Sequence, residues 1–311
     1  MKGWTPSEIP DLTGKRAMIT GANSGIGYQT ALMLAQRGAR VWLGCRNAER
    51  AEAAIQRLEK ALGSRDLLTV LPMDLASLDS VQHAAEQYLA LNQPLDLLIN
   101  NAGIMGLPLQ RTCAGHEMLL AVNHLAHFAL TASLLPALEA APKARVVTIS
   151  SLAAKSGVLD FDDLNWERSP YNKVAAYARA KLANQCFAIE LQRRLQAAGS
   201  SVISLAAHPG YAATNVAFSN SETRSLARRL WQSMVRIGNA LLAQSAERGA
   251  LPSVYAATSE TLQGGEYIGP SGPFQLRGTP SLLNLLPSAT DKQTGEHLWR
   301  HSEQMTRTRY L

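Results

Sequence analysis

Short apolar runs alternate with longer stretches of helical spacing along most of this chain, and that alternation constrains its fold more than any other feature. Strands are expected at Arg16–Thr20, Arg40–Gly44, Leu67–Met73, Leu95–Ile99, Arg145–Ile149 and Ser201–Ala206. Helices are expected between them, at 25–37, from the Asn47 cap to Leu62, at 77–91, at 116–139 with Pro136 kinking or ending it, and at 175–198. Each parallel strand pair needs a crossover, and a helix supplies it. The strands are mostly unbroken apolar runs, as a sheet covered on both faces requires. The fold class is therefore α/β, a Rossmann-type doubly wound parallel sheet with helices on both faces. Hydrophobic residues at 46% against 17% charged supply the core this needs. No linker or repeat divides residues 1–311, which read as one domain with a core at about 11–260. A basic, mainly helical part spans 212–265, a short strand is expected at Glu266–Ile268, and the C-terminal extension covers 270–311. Within that extension, Pro270–Pro287 reads as loop and 288–304 as a final helix.

The turn after the first strand is Thr20-Gly21-Ala22-Asn23-Ser24-Gly25-Ile26-Gly27. Glycines permit a tight turn and close backbone approach, and the helix start offers free N–H groups to a pyrophosphate. Gly21, Asn23, Ser24, Gly25, Ile26 and Gly27 are thus candidate dinucleotide contacts. The spacing is G-x-x-x-G-x-G, in the strand–turn–helix setting that such a site requires. The second strand ends Gly44-Cys45-Arg46-Asn47. No carboxylate stands there to accept from two ribose hydroxyls, whereas Arg46, with Asn47 beside it, suits a 2′-phosphate. The expected cofactor is NADP(H).

Further motifs stand in a fixed order. Asp74 follows strand three, and Asn100-Asn101-Ala102-Gly103 follows strand four. Asn123 lies in Val-Asn-His-Leu-Ala-His-Phe, Ser151 in Val-Thr-Ile-Ser-Ser-Leu-Ala, then Tyr177-Ala-Arg-Ala-Lys181 and His208-Pro-Gly-Tyr-Ala-Ala-Thr214. With the glycine turn, these make the chain resemble the short-chain dehydrogenase/reductase family over about residues 11–260. Asn-Ala-Gly-Ile-Met and Lys-Leu-Ala-Asn are similar to its retinol-dehydrogenase-like branch. Ala180 stands where many relatives have Ser, and Ala126 where many have Gly; neither change removes a catalytic group.

Tyr177 and Lys181, four apart on a helix, share a face. An ammonium beside a phenol stabilises phenolate and lowers its proton affinity. The resemblance implies that Tyr177 exchanges the proton at the substrate oxygen and that Ser151 orients that oxygen, with Ser150 packing behind. It implies that Lys181 binds the nicotinamide ribose and tunes Tyr177, and that Asn123 holds a relay water. It also places Asp74 and Leu75 at the adenine, Asn101, Ala102 and Gly103 along the cofactor, and Pro209, Gly210 and Thr214 on its nicotinamide side. The expected activity is hydride transfer between NADP(H) and an alcohol/carbonyl pair on a lipophilic or aromatic small molecule. The alternative is a non-catalytic NADP(H)-binding redox sensor.

Leu226, Leu230, Met234, Ile237 and Leu241 follow helical spacing, so about 212–245 reads as a substrate lid. Trp231, Met234 and Tyr211 are candidates for its apolar wall, and a packed helix or a membrane-surface helix are the competing readings. Formal charge of +6 permits acidic ligands, but no nucleic-acid motif accompanies it. Cys45, Cys113 and Cys186 suggest neither a disulfide framework nor a zinc site. His116, His124, His127 and His208 lack metal spacing, so no metal is expected. No secretory signal and no membrane span are read, and the expected location is cytoplasmic. A homo-oligomer is compatible with the resemblance, although the extension could cover the usual interfaces.

Overall fold

In a computed structural model of the protein, the described residues are 3–211 and 244–310. Seven parallel strands and one antiparallel strand form a single sheet in the order β3-β2-β1-β4-β5-β6-β7-β8. The strands are β1 Arg16–Thr20, β2 Arg40–Cys45, β3 Leu68–Pro72, β4 Leu97–Asn100, β5 Arg145–Ile149, β6 Ile203–Ala207, β7 Tyr267–Pro270 and β8 Pro280–Leu283. The chain winds outward from β1 in one direction, then returns to start β4 on its other side. Strand order reverses there, so the carboxyl ends of β1 and β4 flank the crevice where ligands of such sheets bind.

Alternate residues of each strand feed two cores. Ala17, Ile19, Val41, Leu43 and Ile99 face α1 (Gly25–Ala35), α2 (Ala48–Leu62) and the later helix Ala246–Thr258. Met18, Trp42, Leu98 and Val146 face α3 (Leu78–Leu89), α4 (Met118–Glu139) and α5 (Lys173–Ala197). The helix Ala246–Thr258 is α6. Local signals set the ends: Asn47 accepts from Arg50 N at 2.8 Å at the start of α2, and Gly63 closes it with φ 79°.

The extension differs from its reading. A real strand lies inside Pro270–Pro287: Pro280–Leu283 pairs antiparallel with β7. Its prolines argue for a loop, but an edge strand tolerates proline because one side needs no donors. The final helix is two, α7 (Pro287–Thr290) and α8 (Lys292–Thr306), separated by Asp291, which caps α8 by accepting from Thr294 N at 2.8 Å. Trp299 of α8 packs with Phe128 and Phe187 on α4 and α5.

Two readings of α4 are also corrected. Pro136 does not end it, since the helix runs to Glu139, and its irregular part is a π turn at Ala121–Leu125. Residues 118–139 are also long and apolar enough to cross a membrane by composition alone, with mean hydropathy 1.5 over the richest window. That window is 78% buried inside the fold, which accounts for its apolarity without a bilayer.

Candidate active site

The glycine turn caps β1. Gly21 and Gly25 take φ 67° and 57°, a region that side chains disfavour. A Cβ on Gly27 would lie 2.5 Å from Asn101 Nδ2, so helix and strand approach closely here. Ser24, at the start of α1, makes no side-chain cap bond. The first-turn N–H groups are therefore open to an anion from outside. Ile26 packs against the neighbouring core. Arg46 and Asn47 are exposed at the end of β2, and Asn47 spends its side-chain oxygen on the α2 cap. Arg57, which sequence reasoning passed over, reaches back from α2 to donate to Asn23 O at 3.0 Å, its guanidinium 4.7 Å from the Tyr28 ring centroid. Two cations thus stand near this loop. No motif in the sequence marked Arg57, because its contact depends on how α2 packs across the glycine turn.

Asp74 takes part in the turn before α3, accepting from Ala76 N at 3.0 Å, with Leu75 half-buried beside it. The segment after β4 is tied to β1: Asn101 N and Ala102 N each donate to Thr20 Oγ1 at 2.9 Å, and Asn101 Nδ2 donates to Thr20 O at 2.8 Å. These residues fit a dinucleotide: an open helix start, a glycine turn and no acid at the end of β2. They would hold it along the switch point, and it would supply a hydride.

The chemical groups converge from α4, β5 and α5. Asn123, fully buried in the π turn, accepts from Ile104 N at 3.0 Å and donates to Ile104 O at 3.0 Å and Leu119 O at 2.7 Å. Its amide is thereby committed to the loop after β4. A Cβ on Gly103 would fall 2.6 Å from Asn123 Oδ1 and 3.2 Å from Lys181 Nζ, so the backbone there runs against both. Lys181 Nζ donates to Ile149 O at 3.0 Å, which leaves two of its three hydrogens for other partners. Burial lowers its pKa to about 8. Ser151 follows β5, and Ser150 behind it donates to Lys181 O at 2.7 Å.

Tyr177 departs from the reading in one respect. Its proton affinity is raised rather than lowered, because burial disfavours phenolate, and the approach of the Ser151 side chain offsets only part of that. Lys181 Nζ sits 5.9 Å from the centroid of the Tyr177 ring. The ammonium is anchored to Ile149 O, and it does not offset the effect of burial on the phenol.

Past β6, Gly210 takes φ 68° and donates to His208 Nδ1 at 3.0 Å, while Pro209 O accepts from the Gln244 side chain. Gln244 N donates to Tyr211 O at 2.8 Å, so the chain leaves and re-enters the described structure at one point. Thr214, Trp231, Met234 and the rest of the expected lid from 212 to 243 lie outside the described residues. Tyr211 is exposed. Ile104, Leu107, Trp166 and Tyr171 form an apolar cluster around Tyr177 and Leu119. Among the described residues no group of three metal-ligating side chains forms.

Comparison with known proteins decides the family. A sequence model of the short chain dehydrogenase family matches residues 15–225. The chain is a short-chain dehydrogenase/reductase. It is similar to human retinol dehydrogenase 13, 38% identical over 97% of this chain and 87% of that protein. It is likewise 39% identical to mouse retinol dehydrogenase 14, over 94% of this chain and 86% of that one. A crystal structure of an uncharacterized Mycobacterium paratuberculosis protein superposes over the whole of both chains, with TM-score 0.82 and 38% identity. The Pseudomonas aeruginosa RhlG/NADP active-site complex matches 86% of this chain and 98% of that one, with TM-score 0.65 and 25% identity. The chain thus belongs to the retinol-dehydrogenase-like branch of this family, and it is an oxidoreductase acting on CH–OH groups.

Proposed function

We propose that this dehydrogenase uses NADP(H) and interconverts an alcohol and a carbonyl on a lipophilic small molecule, with retinol and retinal the first pair to test. The observation that carries the chemistry is the convergence of Tyr177, Ser151 and Lys181 at the carboxyl end of β5, next to the switch point. Tyr177, holding its proton through the neutral range, donates it to a carbonyl oxygen during reduction and takes it back during oxidation. Ser151 orients that oxygen. Lys181, charged below about 8, offers two N–H donors to the cofactor sugar. Asn123 holds the loop after β4 against Lys181 and so shapes the floor of the site. Arg46 favours the phosphorylated cofactor, and the similar RhlG protein forms an active-site complex with NADP. The apolar cluster beside Tyr177 supports a lipophilic substrate.

A panel of aldehydes, ketones and alcohols, followed by the absorbance of the reduced cofactor with NADPH and NADH in parallel, tests this reading. Turnover of long or cyclic apolar carbonyls with NADPH is expected, and Tyr177→Phe should reduce it by ~10²–10⁴-fold. A variant keeping a tenth of wild-type turnover contradicts the role given to Tyr177.

A further inference from the structure

His127 is fully buried, and neither the chemistry nor the cofactor loop has yet used it. Its Nδ1 lies 3.0 Å from Asn123 O and its Nε2 2.9 Å from Thr20 Oγ1. The direction of each bond follows from chemistry. A carbonyl only accepts, so Nδ1 carries the hydrogen. Thr20 Oγ1 already accepts from Asn101 N and Ala102 N. Its own hydrogen has two acceptors in reach, Ile99 O at 3.5 Å and His127 Nε2 at the shorter distance. A bare Nε2 takes it. Burial, opposed by the Asn123 carbonyl and reinforced by Lys181, holds the ring neutral by lowering its pKa to about 4. One neutral tautomer thus satisfies every group in the chain of bonds from Asn101 and Ala102 through Thr20 and His127 to Asn123.

The two ends of this chain belong to different parts of the site. Thr20 opens the glycine turn and fixes the backbone at Asn101–Ala102, where the cofactor would lie. Asn123 holds Ile104, and with it Gly103, against Lys181. Thr20 and His127 lie 107 apart in sequence, and the ring reaches the Asn123 carbonyl one helical turn before it. We propose that His127 is a positioning residue: its Nδ1–H sets the catalytic turn through Asn123 and its Nε2 sets the cofactor turn through Thr20. This rests on the roles proposed above for Asn123, Lys181 and the glycine loop.

The two nitrogens can be removed separately. Asn superposes its amide nitrogen on Nδ1 and loses the contact to Thr20. Gln superposes its terminal group on Nε2 and loses the contact to Asn123. For His127→Gln we expect kcat to fall about tenfold or more while NADPH Kd stays within about threefold, because misplaced catalytic groups lose rate steeply. For His127→Asn we expect the reverse split, with Kd raised about fivefold or more and kcat at saturating cofactor within about threefold. A merely structural role would lower thermal stability in both variants and shift Kd and kcat together. That pattern, or a His127→Gln protein with wild-type kcat, overturns the proposal. Nitrogen NMR of the wild-type ring gives a reading that does not depend on either variant folding. The proton should sit on Nδ1, with Nε2 bare, throughout the neutral range. A proton on Nε2, or a ring that titrates near its ordinary value, also overturns it. Tyr177→Phe run alongside separates the two failures: if it stays active the catalytic reading fails, and if it is inactive while His127→Gln is normal only the present proposal fails.

Discussion

The cofactor side and the chemical side of this site are built from different materials. Around Gly21–Gly27 the working parts are backbone: positive-φ glycines, an uncapped helix start and a turn pinned by Thr20. Its charged side chain at the end of β2, Arg46, is exposed. On the other side the working parts are side chains, and burial has shifted the proton affinities of Tyr177 and Lys181. Backbone donors on the first side carry no titration and tolerate side-chain change except where a glycine is needed. Groups on the second side are held where their charged forms are disfavoured, so they are costly to keep and tuned by that cost. Recognition on the backbone side should therefore be insensitive to pH, and chemistry pH-dependent.

The sharpest way to break this contrast is Lys181→Met. It should cost ~10²–10⁴-fold in kcat/KM, the range for groups acting in proton transfer. It should not cost stability, because a buried ammonium is a burden and Ile149 O keeps a second donor, Asn184 Nδ2 at 3.0 Å. Steady-state kinetics and thermal melts on one preparation check both, and a destabilised variant would show that the ammonium is a structural asset.

Arg46→Ala probes the recognition side. Hydrogen bonds to charged groups contribute ~1.5–3 kcal/mol, and each ~1.4 kcal/mol is tenfold in affinity. NADPH Kd should therefore rise by roughly 10- to 150-fold, with NADH within about threefold. Fluorescence titration measures both; equal losses for the two cofactors would mean that Arg46 does not read the phosphate.

The pH dependence separates the sides without mutation. Lys181 is charged in both folded and unfolded chains below about 8. Between that value and its ordinary 10.5, the unfolded chain binds the extra proton, so this residue makes stability rise with pH there. Activity needs the ammonium and should move the other way. The ratio kcat/KM is expected to fall above about 8, approaching about tenfold per pH unit. A flat profile to pH 10 would detach Lys181 from the chemistry.

The smallest effect expected on turnover is at Ser150. Its hydroxyl donates to Lys181 O and pairs with the Tyr267 side chain inside the fold, and Ser151 alone faces Tyr177. Ser150→Ala should leave turnover within about threefold while lowering stability by ~1–3 kcal/mol, the cost of leaving the buried Tyr267 hydroxyl without its partner. Chemical denaturation and kinetics check the pair, and a large loss of turnover would exchange the roles of the two serines.

Much of this was legible in the sequence because it is written locally. Unbroken apolar runs marked β1 to β6, and Asn47 and Gly63 marked the ends of α2 within a residue. What stayed hidden depends on contacts distant in sequence or on cues that cancel. Proline at 270 and 280 masked an edge strand that pairs those two residues with each other. Nothing in Val122-Asn123-His124-Leu125 distinguishes a π turn from an α turn. The motif brought Tyr177 and Lys181 to one face, but burial of the pair was not visible, so the reading lowered the affinity of the phenol for its proton where the fold raises it. Thr20 and His127 looked unrelated until the sheet brought them together.

The central claim is that recognition by Arg46 and chemistry at Tyr177 are separable. A double-mutant cycle on log kcat/KM with NADPH as the varied substrate, joining Arg46→Ala and Tyr177→Phe, tests it most directly. The two share no partner among the described residues, so their effects should add to within about 0.5 kcal/mol. A coupling above about 1 kcal/mol would mean that the phosphate contact acts on the proton-transfer step itself, and would contradict the account.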